Sequence, residues 1–163
     1  MSMLGTDVIR KEDPALLTAG GQYVDDIVAT GALHAAFVRS PVAHGIIESI
    51  DTSDAASIAG VVGVYTAADL GLAALPPDMP MFNQAMLRTR LAADRVRYVG
   101  EAIAVVVAET HGAAVDGVEA VWADIEPFDA VVTVHDSLSD GTLLFPDAGT
   151  NTIFEIPGSG DEV

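Results

Sequence analysis

The stretch VRYVGEAIAVVVAET, from Val96 to Thr110, decides the fold. Its second half, Ala102–Ala108, is a continuous apolar run, which is typical of a strand buried on both faces. Its first half contains RYVGE, a polar segment that includes Gly100. That segment is either a catalytic loop or only the turn that leads into the strand.

A helix and another strand are predicted immediately after this stretch. Thr110 begins THGAAVDGVEAV, in which Ala114, Val118 and Val121 recur on one helical face. Two glycines inside this helix each weaken it by about 1 kcal/mol relative to alanine, so tertiary packing is needed to support it. VWADI, at 121–125, alternates and predicts the next strand.

Two strands are predicted nearer the amino terminus. ALHAAFVRS, Ala32–Ser40, alternates in a way that is expected to turn Leu33, Ala35 and Phe37 toward the core. PVAHG then forms a hairpin-like turn. IIESI, at 46–50, returns as the second strand.

A short helix and a third strand follow these two strands. DTSDAASIAG predicts a helix that Thr52 or Ser53 caps and that Gly60 ends in the left-handed conformation. VVGVYT, at 61–66, is the next strand. The elements together predict an α+β fold with mainly antiparallel or mixed sheets and two short helices. These helices are too few for a doubly wound nucleotide-binding fold.

Residues 70–95 are predicted to form a long loop, because they contain three prolines and three methionines without a sustained period. A loop of this length in a compact domain is usually functional, partner-bound or mobile. Met79, Met81 and Met86 suit either an adaptable contact surface or the filling of gaps in the core.

Composition limits the classes of partner. The chain has 24 acidic and 7 basic residues, and its net charge of -17 would repel nucleic acids and anionic membrane surfaces. It has no cysteine, which excludes disulfides, thiolate metal sites and a cysteine nucleophile. Its 163 residues suit one domain, and without a signal-peptide pattern or a membrane-spanning run we expect a cytoplasmic location.

Few side chains indicate chemistry, and the usual serine-nucleophile, phosphate-loop and zinc motifs are absent. Asp25 and Asp26 suit either a cation site or a solvated turn, and the turn is favoured because no calcium-loop pattern surrounds them. Four histidines lack ligand spacing: His34, His44, His111 and His135. A weak two-imidazole site would require His34 and His44 to meet across the predicted hairpin.

Glu101 is the acid best placed for catalysis, because a carboxylate beside a buried strand can have a raised pKa and act as a general base. Arg95 and Arg97 lie close in sequence, so a structural ion pair or a turn contact is the favoured interpretation. Arg39 is either an anion contact or a charge at a strand end. No catalytic, cofactor-binding or metal-binding residue is assigned.

Five strings carry a resemblance to a known family. In order, they are GGQYVDDI, LHAAFVRSPVAHGIIESIDTS, GVVGVYTAADL, DRVRYVGEAIAVVVAET and FDAVVTV. Together they resemble the amino-terminal region of the molybdenum-containing large subunits of xanthine dehydrogenases, aldehyde oxidases and carbon monoxide dehydrogenases. The resemblance spans nearly the whole chain and implies a single domain, over residues 1–163, with the fold called the α/β hammerhead.

The resemblance also implies a parent enzyme. Members of this family hydroxylate a carbon centre, or oxidise carbon monoxide, with oxygen from water at a molybdenum centre that bears molybdopterin. Electrons leave through iron-sulfur clusters to FAD on companion subunits or domains. The implied partners are therefore a downstream molybdenum-binding domain and the iron-sulfur and flavin subunits. The family's cofactor-binding and catalytic segments lie beyond this region, so none is carried over and no cofactor is expected in this fragment.

Four residues depart from the family pattern and indicate a divergent member, whose substrate stays open. Val42 stands where histidine is frequent, Gly45 where arginine or alanine is frequent, and Phe128 and Asp129 where leucine and proline are usual. Near the carboxyl end, IFEI at 153–156 predicts another strand. We expect residues 157–163 to be the flexible tail of a fragment of a longer chain.

Three hypotheses follow for function. The first is the amino-terminal domain of a molybdenum hydroxylase large subunit, with a structural and subunit-docking role, an exposed apolar patch and no activity alone. The second is a standalone module that binds a protein or small ligand through residues 70–95. The third is a small hydrolase built on Glu101 and a histidine.

Overall fold

The structure is a computed structural model that divides into two compact units, Met1–Ala32 and Leu33–Val163. The residues it describes are 5, 10–18, 20, 23–27 and 29–156. The predicted flexible tail lies outside the described residues. The assignment of residues 1–163 to one domain stays a prediction, and each unit is described by itself.

The first unit contains two short helical segments in its described residues. Helix α1 spans Asp13–Leu17 and has Pro14 in its first turn, where a missing N–H leaves no helical hydrogen bond unmade. A 3-10 turn spans Val24–Asp26, and the Tyr23 N–H donates a hydrogen bond to the Asp26 carboxylate at 2.9 Å.

In residues 33–156, the part of the second unit that the structure describes, there are six strands in two three-stranded sheets. The strands are β1 His34–Arg39, β2 Gly45–Asp51, β3 Val61–Thr66, β4 Arg95–Val96, β5 Ala102–Ala108 and β6 Trp122–Pro127. The first sheet has the order β1-β5-β3 and the second has the order β4-β2-β6. All four strand pairings are antiparallel, which confirms the predicted α+β class.

Over the same described range, four helices accompany these strands: α2 Ser53–Ala56, α3 Ala67–Leu70, α4 His111–Glu119 and α5 Val134–Ser139, with a 3-10 turn at Pro146–Ala148. Of these, α2 and α4 are the two short helices that were predicted. The missed helices α3 and α5 are short, and their main sequence signal is a capping box in which a threonine pairs with an aspartate three residues later.

Strand β5 is the central strand of the first sheet, as its apolar run predicted. Ile103, Ala104 and Val106 are almost inaccessible to solvent. Helix α4 packs against this strand, and the Thr110 hydroxyl accepts the Ala113 N–H at its start. A Cβ at Gly117 would lie only 2.7 Å from Val106 Cγ1, so glycine allows the helix to approach the sheet closely.

The buried face of β1 is the opposite of the predicted one. Val38 is buried and Ala36 is half-buried, whereas Phe37 is 47% exposed and Leu33 is exposed. Ala36 pairs with Val106, on the sheet face that α4 covers. Strand β1 has apolar residues on both of its faces, so the sequence could not identify which face helix α4 covers.

The predicted hairpin between β1 and β2 was also wrong, because these strands belong to different sheets. Beyond β1, the Ser40 N–H donates to Glu101 O at 2.9 Å, and Ser40 O accepts from the Gly100 N–H at 2.8 Å. The buried Ser40 hydroxyl then bonds Val42 N and O at 3.0 and 2.8 Å. This side-chain turn directs the chain toward the second sheet.

Of the two predicted caps of helix α2, Thr52 is at the N-cap position, but the side-chain bonds at this end are made by Asp51. The Asp51 carboxylate accepts hydrogen bonds from Ser53 N and Oγ at 2.9 and 2.6 Å, and Thr52 makes no side-chain cap bond. These bonds hold the pKa of Asp51 below its usual value. Gly60 has φ of +88°, the left-handed conformation that was predicted.

The core joins the two sheets. Its buried members are Val38, Ala92, Val96, Ile103, Ala104 and Val106, against which apolar residues of β2, β3 and β6 pack. Residues 71–94 form no helix or strand, and Leu75 and Arg88 exchange two backbone hydrogen bonds within them. The strand predicted at 153–156 was wrong. Ile153 O accepts a single bond from Asn83 N, at 2.8 Å, and no ladder follows in the described residues.

Candidate docking surface

The RYVGE segment is a turn that holds the start of β5 against the end of β1. Gly100 has φ of +87°, which favours glycine, and it is bonded to Ser40 as described above. Arg39 Nη1 donates to Gly100 O at 2.8 Å, and its guanidinium lies over the Phe37 ring. Arg39 therefore lies at a strand end, the second of the two interpretations.

Glu101 makes a turn contact. Its Oε2 accepts the backbone N–H of Arg97 at 2.6 Å. Burial raises the pKa of Glu101, while the backbone and charge of Arg97 oppose that rise. None of the four histidines is a hydrogen-bond partner of Glu101 in the described part of the chain, so the acid and base of the hydrolase hypothesis are not brought together.

The Arg97 side chain binds the C-terminal segment, defined here as residues 140–156. Its Nε donates to Leu144 O at 3.0 Å and its Nη1 donates to Arg95 O at 3.1 Å. Its guanidinium carbon lies 4.6 Å from the centre of the Phe145 ring, within range of a cation–π interaction. Arg97 therefore holds this segment next to the end of β4.

Asn151 organises the same segment from within. Its Nδ2 donates to Thr142 O at 2.7 Å and its Oδ1 accepts the Leu144 N–H at 2.9 Å. Its own N–H donates to the Asp140 carboxylate at 2.7 Å. Sequence reasoning missed this network because its partners lie 7 to 11 residues apart without a period.

His44 is buried, with 1% of its surface exposed, and both of its ring nitrogens are bonded. Nδ1 lies 3.2 Å from Asp129 O, and Nε2 lies 3.1 Å from Arg95 Nη1. Because the arginine can only donate, Nε2 accepts and the proton is assigned to Nδ1. Burial lowers the pKa of His44, and the charges of Arg95 and Arg97 lower it further.

The other histidines do not join His44. The rings of His34 and His111 meet edge-on with their centres 6.3 Å apart, and His135 is exposed on α5. The pairing of His34 with His44 was therefore not found. Asp26 caps its own 3-10 turn, in agreement with the turn interpretation, and the side chain of Asp25 lies outside the described residues.

Three of the four departures from the family pattern have a visible structural role. Phe128 packs edge-on against His44 with ring centres 5.4 Å apart, and the Arg95 guanidinium lies over it at 5.3 Å. A Cβ at Gly45 would clash with Glu126 O. Val42 packs against the apolar core. These residues adapt the packing around β2 and β6.

Apolar side chains of residues 70–95, of helix α5 and of the C-terminal segment form one surface, whose members are exposed except for the half-buried Phe82. We call it the Met/Phe surface, and its members are Met79, Met81, Phe82, Leu138, Phe154 and Ile156. The Phe82 and Phe154 rings are 5.7 Å apart, and a groove of about 700 Å³ runs beside them. Met79 and Met81 are 51% and 62% exposed, whereas Met86 is 3% exposed and fills the core.

Within the described residues, no group of three or more histidine, aspartate or glutamate side chains converges as metal ligands. Every buried side-chain nitrogen or oxygen in the same part of the chain already has a hydrogen-bond partner.

Two small antiparallel sheets with short helices, in the described residues, define an α+β domain. The family model described as "Aldehyde oxidase and xanthine dehydrogenase, a/b hammerhead domain" matches residues 18–128. The chain belongs to this family, and it is a hammerhead domain of the kind found in molybdenum hydroxylase large subunits.

Similar proteins support this membership. The nicotine 6-hydroxylase large subunit of Paenarthrobacter nicotinovorans is 41% identical over 145 residues, which is 87% of this chain and 18% of that protein. The carbon monoxide dehydrogenase large chain of Afipia carboxidovorans is 38% identical over 141 residues, 85% of this chain and 17% of that protein. The crystal structure of quinoline 2-oxidoreductase from Pseudomonas putida 86 matches with a TM-score of 0.74 at 36% identity, over 85% of this chain and 18% of that one.

The chain thus spans less than a fifth of the length of these relatives. None of the helices in the described ranges has the length and apolar character that crossing a bilayer requires.

Proposed function

We propose that this domain has a structural and docking role in the large subunit of a molybdenum hydroxylase and has no catalytic activity of its own. The Met/Phe surface carries this proposal. Exposed methionines and aromatics at one groove are typical of contact surfaces, because methionine adapts its shape and aromatic rings bury a large area.

The polar groups that could have served catalysis form hydrogen bonds within the domain, which supports the same proposal. Glu101 is bonded to the turn that contains it, and His44 has both ring nitrogens engaged. Arg97 is bonded to the C-terminal segment. Each of these groups stabilises the domain, and none is left to act on a substrate.

The parent enzyme that we propose contains molybdopterin with molybdenum and takes the oxygen for its product from water. Its partners are a downstream molybdenum-binding domain and iron-sulfur and FAD-containing subunits or domains, and its location is cytoplasmic. The names of two relatives, a "large subunit" and a "complex subunit gamma", are those of components of multi-subunit enzymes. A standalone binding module is not favoured, because the matched relatives are several times longer.

The test is to isolate the native polypeptide from its source cells with an antibody raised against this domain. The intact mass and the molybdenum content are then measured on the same sample. We expect a chain several times longer than 163 residues that contains molybdenum. A native chain of about this length without molybdenum would overturn the proposal.

A further inference from the structure

Strand β2 has an open edge beyond its first residues. Its partner on that side, β4, pairs only with Gly45 and Ile46, and the Ile47 N–H then donates to Asp94 O at 2.9 Å. From there β2 continues to Asp51 with no strand beside this edge in the described residues. An unpaired edge presents backbone N–H and C=O groups with which another extended chain can pair.

The backbone N–H and C=O of Ile50 face this open side. In an antiparallel ladder, residues that bond the partner strand alternate with residues that do not. Phe128, directly after β6, donates its N–H to His44 O at 2.8 Å, so the even-numbered residues of β6 are those bonded to β2. Ala123 lies between two of them and is the residue opposite Ile50. The Ile50 backbone is therefore directed away from β6.

A groove of about 430 Å³ runs along the open edge. Residues 47–50 of β2 form one wall, and helix α3 and the residues beside it form another. The residues on the helix side are small, including Ala67, Ala68 and Gly71, so the space next to the strand stays open. An exposed sheet edge beside a groove is one of the recurring arrangements by which proteins bind extended peptides.

The charged groups beside this groove are acidic. Glu48 lies in its β2 wall and is exposed, and Asp94 is exposed where the pairing with β4 ends. No lysine or arginine lines the groove in the part of the chain that the structure describes. The adjacent arginine in sequence, Arg95, is bonded to His44. The groove therefore attracts a basic segment and repels an acidic one.

A second copy of this chain is a poor occupant. Pairing of two β2 edges would place Glu48 against another acidic strand, and each copy carries a net charge of -17. The bulge between Ile47 and Ser49 twists the edge and further discourages pairing between copies. A basic partner meets no such repulsion at Glu48.

We propose that the open edge of β2 binds an extended segment of a separate polypeptide in which basic and apolar residues alternate. The segment pairs its backbone with Ile50, lays its apolar side chains in the groove and places a basic one near Glu48. The two kinds of residue alternate because successive side chains of a strand point to opposite faces. Backbone bonds and charge contacts are typical of separable partners, whereas permanent interfaces are more apolar. This inference goes beyond the proposed function and does not depend on it.

The experiment uses the 163-residue chain and a short synthetic peptide in which lysine and valine alternate. Hydrogen exchange of the Ile50 amide is measured with and without saturating peptide. We expect the peptide to slow this exchange at least about tenfold, because an amide that enters a ladder is protected. One control peptide has glutamate in place of lysine. The other has methylated backbone nitrogens, which cannot donate ladder bonds, and neither control is expected to protect Ile50.

Two pairs of variants locate the binding. Glu48→Lys reverses the charge at the groove, and Glu119→Lys makes the same change on α4, outside it. Ala68→Phe fills the groove from α3, and Ala56→Phe is its counterpart on α2. All four sites are exposed, so equal urea midpoints are expected. We expect Glu48→Lys and Ala68→Phe to weaken peptide binding at least about fivefold and the two controls to leave it unchanged.

Four results would overturn this inference and leave the proposed function standing. The first is an Ile50 amide that the lysine and valine peptide does not protect. The second is equal protection by the methylated peptide, which would mean contact without strand pairing. The third is unchanged binding in Glu48→Lys and Ala68→Phe, which would place the peptide elsewhere. The fourth is slow Ile50 exchange in the native polypeptide from its source cells before peptide is added, which would make the occupant a part of that polypeptide itself.

Discussion

Gly117 of helix α4 lies so close to Val106 of strand β5 that no side chain fits between them. Gly117→Ala is therefore expected to destabilise the chain by about 1–3 kcal/mol, although alanine is the better helix former. Gly112→Ala, in the same helix with open space around it, is the matched control and is expected to be neutral or to stabilise by up to about 1 kcal/mol. Urea unfolding of both variants measures the difference, and equal effects would contradict the close approach.

Met86 and Met81 are expected to respond differently to truncation. Met86 is buried, so Met86→Ala leaves a cavity and should cost about 2–5 kcal/mol of unfolding free energy. Met81 is exposed on the Met/Phe surface, so Met81→Ala should change stability by no more than about 0.5 kcal/mol. Chemical denaturation of the isolated chain is the measurement. A large loss at Met81 would mean that this residue belongs to the core.

Removal of the Arg97 side chain should loosen the C-terminal segment. Arg97→Ala eliminates the bond to Leu144 O and the contact with Phe145, and a hydrogen bond from a charged donor is worth about 1.5–3 kcal/mol. We expect the Leu144 amide, which donates to Asn151, to exchange its hydrogen at least about tenfold faster. Arg90→Ala, at an exposed site, is the control. Unchanged exchange at Leu144 would show that Asn151 holds the segment without Arg97.

His44 should make stability depend on pH. Its pKa in the folded chain lies below the ordinary value of 6.5, so the unfolded chain takes up a proton first as the pH falls. The associated stability is present above pH 6.5 and is lost below it, with a slope of up to about 1.4 kcal/mol per pH unit.

Denaturation at pH 7.5 and 5.5 tests this expectation, with His44→Gln as the comparison. The variant has no imidazole to protonate, so its stability should fall less between the two conditions. Glu101 contributes an opposite slope at lower pH, because its raised pKa favours the protonated folded form. A matched pH dependence in both proteins would exclude His44 as the cause.

The strands were predictable where one segment carried the whole signal. Ala102–Ala108 is apolar at every position, so its place in the centre of a sheet followed without knowledge of its neighbours. Helix α4 was predictable for the same reason, because its signals are local: Thr110 caps its start and the spaced apolar residues follow directly. The resemblance to the family added the fold name, and the family model confirms it.

Features that depend on distant partners were not predictable. The turn after β1 is set by Ser40, whose backbone partners lie about sixty residues away at Gly100 and Glu101. The place of the C-terminal segment is set by Arg97, 47 residues before Leu144. The candidate site was the least predictable part, since Glu101 and His44 form hydrogen bonds within the domain.

The division of the strands between the sheets has a consequence during synthesis. The first sheet uses the odd-numbered strands and the second uses the even-numbered ones, so any part of the chain that contains one whole sheet also contains strands of the other. The first sheet cannot close before residue 108 has left the ribosome, and the second cannot close before residue 127. The strands that are synthesised first therefore emerge unpaired, with apolar faces and free edges. We expect them to bind chaperones until β5 and β6 have been synthesised.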